Sequence, residues 1–99
     1  MILEKLDKRH TGHQHFQYLI KFHRTTNHIK VSDLYEEFCE MRNWMIDTYG
    51  HSCELDMYMS LRHYNKKHNT KWCWATDERK LRLYITEELV AWISLKYTF

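Results

Sequence analysis

The chain contains no proline, and its only glycines are Gly12 and Gly50. That composition excludes a Gly/Ser- or Pro-rich linker between domains. It also leaves no glycine-rich loop of the kind that cradles phosphates. Cysteine is sparse: Cys39, Cys53 and Cys73 are an odd set with no CxxC spacing. With no apolar secretory core in MILEKLDKRH, they read as reduced thiols in a cytoplasmic protein. No stretch approaches the roughly 18 apolar residues of a membrane span, so no membrane association is expected. Charge of one sign is lacking too. Fifteen basic residues against 13 acidic ones leave a net charge of +2, too balanced to announce nucleic-acid binding. No repeat or low-complexity tract is present.

What is present suits a folded domain. Hydrophobic residues make up 43% of the 99 residues, and aromatics 15%. Disorder needs the reverse composition. A chain of this length buries roughly 65% of its unfolded surface, enough for one core. A single domain over 1–99 is expected, with 1–13 as a flexible arm. The eight histidines add positive charge as pH falls from about 7 to 5.5.

Periodicity sets out the elements. From His15 to His23 the residues alternate: Phe16, Tyr18, Ile20 and Phe22 face one side, Gln17, Lys21 and His23 the other, with Leu19 an exception. Leu34, Phe38, Met41, Met45 and Tyr49 form one helical stripe. Ser32 or Asp33 is the expected cap, Glu36 and Glu37 favour the first turn, and Gly50 the end. A helix over Asp33–Tyr49 follows. Glu54 to Tyr64 alternates again, with Leu55, Met57, Met59 and Leu61 on the core side. Lys71 to Ile85 reads as a hairpin. A loop at Thr76-Asp77-Glu78-Arg79 sets Trp74 opposite Leu81, Trp72 opposite Leu83 and Cys73 opposite Arg82. The C-terminal segment has two readings. Thr86-Glu87-Glu88-Leu89 starts like a helix, yet Leu89, Ala91, Ile93, Leu95 and Tyr97 alternate. A helical turn followed by a strand over Val90–Tyr97 is favoured, with a second helix as the alternative.

The expected fold class is α+β. One long helix packs on a four- to five-stranded antiparallel sheet, in the order β-α-β-β-β-β or with the last element helical. The predicted core is Phe16, Tyr18, Ile20, Phe22, Leu34, Phe38, Met41, Met45, Leu55, Met57, Met59, Leu61, Trp72, Trp74, Leu81, Leu83 and Ile85.

The stretch RHTGHQHFQYLIKFH concentrates histidine. His13 and His15 project from one strand face, like the His-hydrophobic-His strand of metal-dependent rolling-circle nucleases. Here the middle residue is polar Gln14, and no acidic motif stands beside the pair. A zinc reading draws on His10, His13, His15, His51, Cys53 and Cys73, but only His51 and Cys53 are closely spaced. Polar residues filling the solvated side of an antiparallel sheet is the default reading. No metal or other cofactor is therefore expected, and His13, His15, His51 and Cys53 remain the weak metal candidates. The cysteines read as small hydrophobes. The pairs Glu36-Glu37 and Glu87-Glu88 fit helix starts rather than acid–base catalysis. The protein is expected not to be an enzyme.

The sheet face opposite the helix is the expected binding surface. It carries Tyr58, Arg62, Tyr64, Arg82, Tyr84 and Lys21, beside Lys80 and His23. Tyr and Arg anchor protein interfaces, and a homodimer is one way to cover such a face. Aromatics among cations also suit single-stranded nucleic acid, where rings stack on bases and cations meet phosphates. A protein partner is the favoured reading, single-stranded nucleic-acid binding the alternative, and a nuclease using His13 and His15 the second alternative.

Over MRNWMIDTYGHSCELD (Met41–Asp56) and WCWATDERKLRLYITEELVAWISLKY (Trp72–Tyr97), under half of the chain resembles small accessory proteins of tailed bacteriophages, including T4-like ones. The likeness lies in the succession of an aromatic strand, a charged turn, an R-x-Y-I/V strand, an acidic turn and an aromatic segment. It carries no catalytic motif. What it implies is a viral protein in the host cytoplasm that binds a host or virion component.

Overall fold

Two segments with opposite hydrophobic periods meet at the centre of the molecule. Strand β2 (Tyr18–Phe22) buries Ile20 and Phe22, while helix α1 (Val31–Tyr49) buries Leu34, Phe38, Met41 and Met45 in one stripe. The Phe22 and Phe38 rings meet edge to face, 5.6 Å apart at 84°. Each such side chain, fully buried, contributes about 1.5–3 kcal/mol relative to exposure. The computed structural model describes residues 1–9, 15–22, 31–55, 71–76 and 81–98, and of Val31 and Ser32 only the backbone.

Strands β1 (Ile2–Lys5), β2, β3 (Trp72–Ala75) and β4 (Leu81–Ile85) form an antiparallel sheet in the order β1-β2-β4-β3. Helix α2 (Glu87–Ser94) follows β4 directly. The class is α+β, as the periodicity implies, with helices packed on an antiparallel sheet. Tyr18 pairs with Ile85, Ile20 with Leu83 and Phe22 with Leu81. One face of the sheet therefore presents Ile20, Phe22, Leu81, Leu83, Ile85 and Trp72 to the helices, and they share a cluster with Leu89 and Ile93 of α2. Tyr18 and Trp74 pack on that cluster while half-buried.

Several expectations are corrected. Residues Ile2–Lys5 are an edge strand rather than part of a flexible arm; Leu3 pairs with Ile20 and Lys5 with Tyr18. Helix α1 starts at Val31, so Asp33 lies inside the first turn rather than at a cap. Its C-terminal end is as expected: Gly50 has φ 98°, and its N–H donates to the Ile46 carbonyl at 2.9 Å. That left-handed position favours glycine. The hairpin is present, but Trp74 pairs with Leu83, Trp72 with Ile85 and Cys73 with Tyr84. The register is displaced by two residues, and an even displacement leaves every side chain on its predicted face. The strand over Val90–Tyr97 is replaced by α2. Its first turn carries Glu87 and Glu88, which favour a helix N-terminus, and the Glu87 N–H donates to the Gln17 side-chain carbonyl at 2.9 Å. The alternation over Glu54–Tyr64 lies beyond Leu55 outside the described residues, as do Met57, Met59 and Leu61.

The opposite face of the sheet is also apolar at its centre. Leu6, Phe16, Leu19, Leu55, Cys73 and Tyr84 form a second buried cluster. Leu19 lies opposite Tyr84, and Tyr84 opposite Cys73. The three make one row across β2, β4 and β3. Phe16 belongs to this side and not, as the alternation predicts, to the helix side. The strand begins only at Tyr18, so its alternation does not carry back to Phe16, whose ring packs 6.2 Å from Tyr84.

Candidate binding surface

The sheet face opposite the helices does not present the described residues as a stacking platform. Tyr84 is 3% exposed: Phe16 covers its ring, and its hydroxyl accepts a bond from the Arg82 guanidinium at 3.3 Å. Arg82 is half-buried. Lys21 forms an ion pair with Glu4 of the neighbouring strand. A buried ring cannot stack on a base, and a cation already paired is poorly placed to meet a phosphate. Tyr58, Arg62 and Tyr64, the rest of the expected surface, lie outside the described residues, as do Lys80 and His23.

The metal candidates separate in a similar way. His10 and His13 fall outside the described residues. His15 is half-buried, His51 exposed and Cys53 half-buried. Among the described residues no group of three or more His, Cys, Asp or Glu side chains is placed to hold a metal ion. Burial pushes the Cys53 thiol up, and the Glu54 carboxylate adds to the rise. The Cys73 thiol rises further, from burial first and then the nearby Cys53. Thiols held up in this way are weak nucleophiles and weak metal ligands at neutral pH, because the thiolate is the reactive form.

Among the described residues, the large exposed apolar side chains lie mostly on the helical layer. Leu89 and Ile93 turn α2 inward. Trp92, one residue before Ile93, is 60% exposed, and Leu95, two residues past it, is 80% exposed. An aromatic group links α1 to the residues that follow α2. Trp44 meets Tyr97 at 5.3 Å and Tyr49 at 5.7 Å, both edge to face. The Lys96 ammonium sits 5.4 Å from the Trp44 ring centre and 5.8 Å from that of Tyr97, within cation–π range. Burial raises the Tyr97 phenol above its ordinary value, with Glu40 and then Glu37 adding to the shift. Trp92 is four residues before Lys96, which follows the end of α2.

The sequence alone does not reveal this surface, because the alternation at the C-terminus favours a strand there. A helical reading places Leu89, Ile93 and Tyr97 inward and Trp92 and Leu95 outward. Two further cations are paired: Arg9 with Asp7 at 2.7 Å and Lys71 with Glu88 at 3.1 Å. No helix among the described residues is long and apolar enough to cross a membrane. No protein-family model, curated protein or solved structure matches the chain.

Proposed function

We propose that this is a small non-enzymatic binding protein that recognises another protein through the Trp92–Leu95 edge of its helical layer. The observation that carries the reading is the exposure of an indole in the last turn of a well-anchored helix and of the leucine that caps it, three residues on. A tryptophan offers about 150–250 Å² of contact area, and Trp, Tyr and Arg dominate the energetics of protein interfaces. The neighbouring Trp44, Tyr97 and Lys96 supply a rim with both apolar and cationic character. The resemblance to phage accessory proteins supports a host or virion protein as the partner class, in the host cytoplasm. The ion pairing of Lys21, Arg9 and Lys71 favours a protein over single-stranded nucleic acid.

The test compares the natural chain with a Trp92→Ala/Leu95→Ala variant of equal melting temperature. Both are used for affinity capture from bacterial lysate, and both are titrated against labelled single-stranded RNA and DNA at about 50 and 200 mM salt. A partner retained by the natural chain and lost by the variant supports the reading. Nucleic-acid binding that weakens steeply with salt and is unchanged in the variant would replace it.

A further inference from the structure

Two of the three cysteines are brought together across sequence by the segment that follows α1. That segment, Gly50 to Leu55, runs alongside β3 and is pinned to it at several points. The Trp72 indole N–H donates to the Gly50 carbonyl at 3.1 Å. The Ser52 hydroxyl donates to the Trp72 carbonyl. The Trp74 N–H donates to the Cys53 carbonyl at 3.3 Å. Glu54 and Trp74 form a parallel bridge. In a parallel pairing the residues preceding each bridge partner are also neighbours, so Cys53 lies alongside Cys73. Cys73 belongs to the buried cluster on the sheet face away from the helices, and Cys53, half-buried, packs against it. Neighbouring strands sit about 4.7–4.9 Å apart, inside the roughly 4.4–6.8 Å Cα separation that a disulfide spans.

We propose that Cys53 and Cys73 are a disulfide-forming pair that, once oxidised, fastens the Gly50–Leu55 segment to the edge of the sheet. The co-reactant is a low-molecular-weight disulfide. Cys53 is the half-exposed member, and Cys73 is fully buried. The Cys53 thiolate attacks one sulfur of the oxidant, breaks its S–S bond and releases one thiolate, leaving a mixed disulfide on Cys53. The Cys73 thiolate then attacks the Cys53 sulfur and releases the second. Two protein thiols have lost two electrons and two protons, and the oxidant has become two thiols. The reaction is slow at neutral pH, because burial holds both thiols in the protonated form, and quickens as pH rises. The same preference makes each sulfur a poor leaving group, so the bond resists reduction. Cys39 is set apart: it packs on the helix-side cluster, with the Arg42 guanidinium 3.9 Å from its sulfur.

The test is oxidation of the native, full chain with oxidised glutathione, followed by alkylation, intact mass and non-reducing peptide mapping. Free thiols should fall from the three that the chain contains to one. The map should join the Cys53 and Cys73 peptides, with no mass corresponding to a linked dimer. Cys39→Ser should form the same bond, and Cys53→Ser should not. Native oxidation that leaves every thiol free, links Cys39, or gives only intermolecular bonds would overturn the assignment. So would a yield of the 53–73 bond no greater than that of the urea-unfolded chain, since the fold would then confer no proximity.

Discussion

Trp72 and Trp92 are the same residue type with opposite fates. Trp72, on β3, is fully buried in the helix-side cluster, and its indole N–H has found the Gly50 carbonyl. Trp92 stands in water on α2. Trp72→Ala should therefore cost about 3–5 kcal/mol, as truncating a core aromatic does. Trp92→Ala should stay within about 0.5 kcal/mol of the parent. Urea unfolding monitored by far-UV circular dichroism separates the two, and equal losses would mean that Trp92 is also a core residue. Cys73 carries a second residue-scale consequence. Its folded thiol is held well above the ordinary value of 9.0, by burial and then by Cys53. Above that pH the unfolded chain loses a proton that the folded chain keeps. The stability contributed is full below about pH 9 and falls as pH rises beyond it. Cys73→Ala should make stability decline less steeply between about pH 9 and 11, read from urea midpoints under reducing conditions. An unchanged slope would assign the alkaline loss to Tyr49 and Tyr97, whose phenols burial also raises.

At the scale of elements, legibility depends on how many residues a pattern has in which to declare itself. Helix α1 is readable because five stripe positions and Gly50 agree on one helix. The hairpin is readable in its faces but not in its register, because a displacement of two residues satisfies the same alternation. The last segment misleads for an arithmetical reason. Leu89, Ile93 and Tyr97 are spaced by four, a multiple of two, so they obey the strand period and the helix period together. Ala91 and Leu95 complete the apparent alternation, and both are exposed. The two readings differ in a direct experiment. Ile93→Asp should abolish folding or cost more than about 4 kcal/mol, since a carboxylate would be buried unpaired. Leu95→Asp should melt within a few degrees of the parent. A strand would make both substitutions severe. Strand β1 escapes a sequence reading because Ile2–Lys5 is too short to show a period, and only its pairing with β2 reveals it.

For the whole molecule, the decisive feature is a single sheet that carries buried apolar surface on both faces. Sequence alternation identifies the helix side, since Ile20, Leu83 and Ile85 recur at every second position. It marks the other side as solvated because Lys21 and Arg82 lie there. Leu19 looks like a local exception, Cys73 like a small hydrophobe and Tyr84 like part of the binding surface, and only the cross-strand register shows that they form one row. That is why the expected binding face and the observed exposed surface differ: the row fills the middle of the expected face, and Trp92 and Leu95 come into view only with α2. The arrangement also bears on cooperativity. Strands β2 and β4 contribute to both clusters, so neither side can melt without removing the backbone on which the other is built. Leu19→Ala, on the side away from the helices, and Met41→Ala, on the helix side, should each cost about 2–5 kcal/mol. In both variants tryptophan fluorescence and far-UV circular dichroism should report one coincident transition. If Leu19→Ala instead produced an early transition in one probe alone, the second cluster would be a satellite that opens independently. Coincidence would make the sheet the single cooperative unit, with α2 and its exposed Trp92 held rigid on it.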